Sequence, residues 1–154
     1  MMDSAAPRRL IPALSPLYDG LAGYAYPLIR IATGLWLMPH GAQKLFGMFG
    51  GNAAATAQFF GKVGLPDAIL LVYWVGAVEF FGGLLLVLGL FTRAAAVMVF
   101  VLMIVAVFKV HLANGFFWTK LAYEYPLLWG VLAIAIAIRG GGQASLDRRI
   151  GVEL

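Results

Sequence analysis

Glu79 is the one carboxylate in the run Trp74–Leu90, WVGAVEFFGGLLLVLGL. Counted from Ala68 to Leu90, this apolar window is long enough to cross a bilayer, which takes about 20 residues. An ionised side chain at that depth costs about 2.5–3.5 kcal/mol on insertion scales, so it needs a partner or a purpose such as proton acceptance or ligand contact. Other groups with chemical capacity fall in the remaining apolar segments: Arg30, His40, Gln43 and Lys44 in one, Lys109 and His111 in another, Glu124 at the head of a third. Imidazoles exchange protons near neutral pH, and cations or amides orient a polar ligand. Glu79, His111 and His40 are therefore the candidate catalytic groups, and Arg30, Lys44, Gln43 and Glu124 the candidate substrate-binding groups. The absence of cysteine excludes a thiolate nucleophile, a disulfide relay and cysteine-ligated iron–sulfur clusters. Two histidines on different segments raise a metal or bis-histidine haem, but no H-x-x-x-H or E-x-x-H spacing supports it, and no metal ligand is assigned.

These groups must be positioned by membrane helices. The chain has 154 residues, 62% hydrophobic and 12% charged, with mean hydropathy +0.90; soluble domains average about 45–50% apolar and about 25% charged. The net charge of +4 comes from bases scattered between apolar runs rather than gathered in a patch, so the lipid bilayer is the expected partner and nucleic acid is not. The fold expected is an all-α, integral membrane four-helix bundle. Residues 1–20, with Pro7, Pro12 and Pro16, read as a mobile arm, and the transmembrane domain covers 21–139. Its spans lie at about 21–45, 68–90, 92–113 and 122–138, with Asp67 starting the second. The loop 46–67 holds a short interfacial helix over 53–63, with Phe59 and Phe60 dipping toward the headgroups. Residues 140–154 form a polar tail. Phe116–Lys120 reads as an aromatic and basic interfacial belt. Four spans place both termini on one side, which collects Arg8, Arg9, Arg93, Arg139, Arg148 and Arg149 against Lys44, Lys62, Lys109 and Lys120 on the other. The positive-inside rule makes both termini cytoplasmic, and the protein a multi-pass protein of the inner membrane.

Helical periodicity sorts the polar groups by face. Arg30, Gly34, Leu37, Gly41 and Lys44 fall within about 40° of one line, and Gly76, Gly82 and Gly83 within about 60° of Glu79. Both faces lack bulk and permit close helix approach. If Lys44 marks the outer interface, Arg30 lies about 21 Å below it; Glu79 lies about 17 Å below Ala68. The two levels agree, and an Arg30–Glu79 ion pair inside the bundle is expected, whether as a lock on helix register or beneath a functional pocket. His40, Gln43, Lys44, His111 and Glu124 would converge above it. Lys109 and His111 point about 160° apart on a regular helix, and His111 is the better inward candidate because Lys109 can snorkel.

In order along the chain, these residues resemble the DoxX family of small four-helix membrane proteins. The resemblance is carried by R-x-x-x-G with the later H-G-x-x-K (Arg30, Gly34, His40, Gly41, Lys44) and by the block Gly76, Glu79, Gly82, Gly83, Gly89, Thr92, Arg93. It continues through His111, Asn114, Gly115, Phe116 and Phe117, then Glu124-Tyr125-Pro126, and closes on Gly142, Ser145, Leu146 and Asp147. It covers about Tyr26 to Asp147.

The resemblance implies a redox-linked membrane subunit: related proteins look like parts of thiosulfate:quinone oxidoreductases or are associated with membrane oxidoreductase complexes. With the expected polar pocket it points to a quinone as cofactor, its ring near His40, His111 and Lys44, and to a partner oxidoreductase, since the chain carries no electron-donor site of its own. Distant relatives that look like receptor assembly chaperones imply the alternative, a non-enzymatic scaffold for a partner membrane protein. Solute passage would need the chain to form a homo-oligomer, because four spans enclose little space.

Overall fold

A computed structural model describes residues 8–66 and 68–153, and every regular element among them is helical. Asp67 and the first residues of the expected arm, Pro7 included, lie outside the described residues. The long helices are α1 (Ser15–Phe46), α3 (Ile69–Leu88), α4 (Thr92–Asn114) and α5 (Glu124–Arg139); α2 (Ala53–Lys62) bridges α1 and α3, and α6 (Leu146–Ile150) follows α5. Two of them, α3 with 20 residues and α4 with 23, are long and apolar enough to cross a membrane.

Their packing inverts the soluble pattern. Leu70, Trp36, Phe108 and Ile138 point outward and are more than half exposed, whereas Arg30, Thr92 and Asp147 are at most 2% exposed. The enclosed apolar core joins Leu37 of α1, Val78 and Leu86 of α3, Val99 and Met103 of α4, and Ala133 and Ile136 of α5. Together with the family assignment below, this arrangement is that of a membrane protein, for which lipid replaces water as the solvent of the outer face.

α1 and α3 run antiparallel with backbones nearly touching. A Cβ added to Gly83 would stand 2.7 Å from the Gly34 carbonyl oxygen, and one on Gly41 would stand 2.6 Å from that of Gly76. The glycine faces read from the periodicity thus meet each other, and this fixes the register of the two helices.

Three further features complete the fold. α1 is a single 32-residue helix that starts at Ser15, so helix occupies part of the expected arm. Pro16–Ala25 are exposed, and packing starts at Tyr26, whose hydroxyl donates to the Gly140 carbonyl. α2 packs one face against α3 and leaves the other exposed. Its N-terminus is capped by the Asn52 side chain, which accepts from Ala55 N at 3.0 Å, and Ala57 and Phe60 bury against Val72. Phe60 therefore faces the interior, while Phe59 stays half-exposed.

The C-terminal segment is also tied to the bundle. The Asp147 carboxylate accepts from Phe91 N at 2.7 Å and Thr92 N at 2.9 Å, capping α4 across a long sequence distance. Ser145 caps α6 through Arg148 N at 3.2 Å. The family-like residues Thr92, Ser145 and Asp147 thus close one end of the bundle.

Candidate functional site

Glu79 sits near the middle of α3, about 15 Å from Ile69 and about 14 Å from Leu88. Its Oε2 accepts from Lys44 Nζ at 2.7 Å, with side-chain exposures of 10% and 17%. Lys44 reaches this depth because Gly76 leaves space beneath it: a Cβ at position 76 would stand 2.8 Å from Lys44 Cβ. The ammonium also donates to the His40 carbonyl at 3.3 Å.

The expected Arg30–Glu79 pair does not form. Arg30 lies against Gly89, about ten residues or about 15 Å along α3 from Glu79. Its guanidinium donates to the carbonyls of Gly141 at 3.1 Å and Ala144 at 2.7 Å, anchoring the C-terminal segment. The two groups are not level because Lys44 does not mark the end of the bundle. α1 stops at Phe46 near the level of Gly76, while α3 continues to Ile69, about 10 Å further, and α2 fills that layer. Gly89 turns at φ +64°, and the Arg30 guanidinium occupies the space its side chain would need, so glycine is required there twice over.

A cavity of about 650 Å³ opens beside the Lys44–Glu79 pair, between the end of α1, α2, α3 and α4. Gln43, Lys44, Asn52, Thr56, Glu79 and His111 supply its polar lining; Phe59, Leu71, Trp74, Leu102 and Met103 are among its apolar walls. Both long walls carry a π-helical turn at this point, Val78–Gly82 in α3 and Ala106–His111 in α4. Such a turn inserts one extra residue into the ladder and re-aims the side chains that follow; it recurs at functional sites. Glu79 comes from the first turn, and Ala106, Val110 and His111 from the second.

His111 lines the cavity and Lys109 is exposed. His111 Nδ1 lies 2.6 Å from the Leu121 carbonyl oxygen, which can only accept, so Nδ1 carries a proton and Nε2 is left to exchange one. Asn114 Nδ2 donates to the same oxygen at 3.1 Å, so the H-x-x-N spacing is a two-point clamp on Leu121, whose φ is +56°.

Two other candidates are placed outside the cavity lining. His40 is exposed and meets Trp129 edge-on, with ring centroids 6.2 Å apart. Glu124 accepts from Trp118 N at 2.9 Å and so ties the aromatic loop to the start of α5. The residues that sequence reasoning missed are Asn52 and Thr56 on α2 and Trp74 on α3. Asn52 ahead of an alanine run is a readable cap signal, but only packing of α2 brings it to the cavity that Glu79 also lines.

A family model described as DoxX matches residues 26–112. A Bacillus subtilis (strain 168) protein named "Putative oxidoreductase CatD" is 35% identical over 120 residues, 78% of this chain and 82% of that one. A Haemophilus influenzae (strain ATCC 51907 / DSM 11121 / KW20 / Rd) protein named as uncharacterized is 35% identical over 133 residues, 82% of this chain and 90% of that one. No solved structure matches the chain.

Proposed function

The chain belongs to the DoxX family, and on that premise we propose that it is a multi-pass inner-membrane subunit of a quinone-linked oxidoreductase system, with the Lys44–Glu79 cavity as its ligand site. In this reading α1, α3, α4 and α5 all span, both termini are cytoplasmic, and a partner oxidoreductase delivers the electrons. The observation that carries it is a buried ion pair at mid-helix depth opening onto a cavity of about 650 Å³. Small-molecule sites are typically about 300–1,000 Å³, mostly apolar, with a few convergent polar groups. The lining fits an apolar ring with carbonyl oxygens: Trp74, Phe59 and Met103 offer flat or adaptable apolar surface, and Gln43 and Lys44 offer donors.

When bound, a quinone supplies two-electron, two-proton redox chemistry. The protein's share is to orient and to handle protons. Lys44 is held between Glu79 and the His40 carbonyl, so its charge is fixed in place before any ligand arrives. Glu79, with Lys44 on Oε2, is the acceptor through which a proton can be taken up or held. His111, its Nδ1 committed to Leu121, offers Nε2 for exchange.

The test is binding of a short-chain quinone analogue to the reconstituted protein. Wild type binds, and Glu79→Gln and His111→Ala bind about tenfold or more weakly, the loss of one charged or hydrogen-bonding contact. Equal, negligible binding by all three rejects the proposal.

One observation favours a second reading, a scaffold for another membrane protein. His111 and Asn114 hold Leu121, and Glu124 holds Trp118, so the exposed rings of Phe116, Phe117 and Trp118 are presented on an ordered loop. A scaffold loses its partner in mild-detergent pull-downs when Phe117 and Trp118 become alanine, while the quinone-linked reading leaves analogue binding unchanged by the same substitutions.

A further inference from the structure

At the opposite end of the bundle from α2, a second cavity of about 570 Å³ lies between the end of α5 and the C-terminal segment, lined by both acidic and basic groups. Its acids are already committed. Asp147 accepts the two backbone N–H groups that start α4, and Glu153 accepts from Gly141 N at 2.9 Å and sits 3.5 Å from Arg93 Nε. Its arginines are not. Among the described residues neither Arg139 nor Arg148 joins an ion pair. The Arg139 guanidinium lies over the Tyr26 ring, 5.5 Å from its centroid, which orients it without neutralising it. Gln143 adds a further donor to the lining.

The surroundings select the kind of anion. Ile138, next to Arg139 in the chain, is 74% exposed, and Ile150 and Val152, on either side of Gly151, are 56% and 51% exposed. Guanidiniums beside outward-facing apolar side chains at the end of a membrane helix match a molecule with an anionic oxygen cluster joined to an apolar tail. Planar guanidiniums bind phosphate oxygens in pairs, and basic pockets at the cytoplasmic face attract anionic headgroups. We infer that Arg139 and Arg148 form a phosphate site occupied by an anionic phospholipid headgroup, at the bundle end assigned above to the cytoplasm. This site is separate from the Lys44–Glu79 cavity and does not depend on what that cavity binds.

The experiment uses the full chain in detergent, titrated with phosphatidylglycerol, phosphatidylcholine or inorganic phosphate, with bound species counted by native mass spectrometry. Wild type retains phosphatidylglycerol in preference to phosphatidylcholine. Arg139→Gln and Arg148→Gln each weaken this about fivefold, and the double variant about thirtyfold, the loss expected for surface-proximal arginines. Arg149→Gln, in the same helix but outside the cavity lining, changes it less than twofold (a rough bound). Arg148 is exposed on the short α6, so its single variant tests the site even if loss of the Arg139–Tyr26 contact disturbs folding. Equal retention of both lipids, or equal loss in the Arg149 variant, overturns the inference. Inorganic phosphate competing as well as the lipid would assign the site to free phosphate and remove the lipid from it.

Discussion

Replacing Lys44 by Met removes the cation from the Glu79 carboxylate and leaves a charge about 15 Å from either end of α3. Breaking a buried pair from one side costs about 3–5 kcal/mol, because the surviving charge keeps its desolvation cost and loses its compensation. The side chains here are 17% and 10% exposed and open onto a cavity, so the lower end applies, about 3 kcal/mol for Lys44→Met. Glu79→Leu leaves a lysine with a flexible stem, at about 2 kcal/mol. The double variant removes both charges and fills the space with apolar atoms, and lies within about 1 kcal/mol of wild type. The assay is reversible unfolding in mixed micelles, followed by tryptophan fluorescence, with all four proteins forming a double-mutant cycle. A double variant at least about 2 kcal/mol more stable than the summed singles supports a direct, buried pair. Additive losses would rule out a direct pair, since they would mean that each side chain interacts with something other than its partner. The same proteins separate fold from function: the double variant, though stable, does not bind a quinone analogue.

Other outcomes follow from the packing. Arg30→Ala releases two carbonyls of the C-terminal segment and is expected to cost about 2–4 kcal/mol, with limited proteolysis cutting near Gly140–Ala144 before the bundle is cleaved. Gly41→Ala places a methyl 2.6 Å from the Gly76 carbonyl oxygen and should cost about 1–3 kcal/mol, read as a lower unfolding midpoint; Gly20→Ala, with nothing within 4 Å, should not lower it. Asp147→Ala uncaps α4 at Phe91 and Thr92 and should cost about 1–2 kcal/mol in the same measurement, with Asp147→Asn retaining part of the cap.

The glycine faces were legible because helical periodicity is a local property, and Gly34, Gly41, Gly76 and Gly83 do meet. The partner of Glu79 was not, because it depends on where each helix stops relative to the other. α1 ends at Phe46 on a Gly47 cap at φ +66°, well short of the start of α3, so Lys44 lands at the level that the sequence reading reserved for Arg30. A capping glycine can be read in a sequence, but not how deep the bundle it ends lies. The π-helical turns were also hidden. An i→i+5 turn carries no composition of its own, and the apolar residues around Glu79 and His111 suit either ladder. Asp147 looked like part of a polar tail because the backbone groups it caps come from the start of α4, 55 and 56 residues earlier in the chain, a contact only folding creates. His40 lies outside the stripe of Arg30, Gly34, Leu37, Gly41 and Lys44, which leaves it free to meet Trp129 instead.

A photoreactive quinone analogue, activated in membranes from cells producing the wild-type chain and mapped by peptide mass spectrometry, addresses the ligand site directly. A quinone seated beside the Lys44–Glu79 pair concentrates labels on Phe59, Trp74 and Val110, which line the cavity, with labelling competed by unlabelled quinone and lost in Glu79→Gln. Labels confined to the outward-facing Leu70 and Phe108, or insensitive to competitor, would contradict that seating.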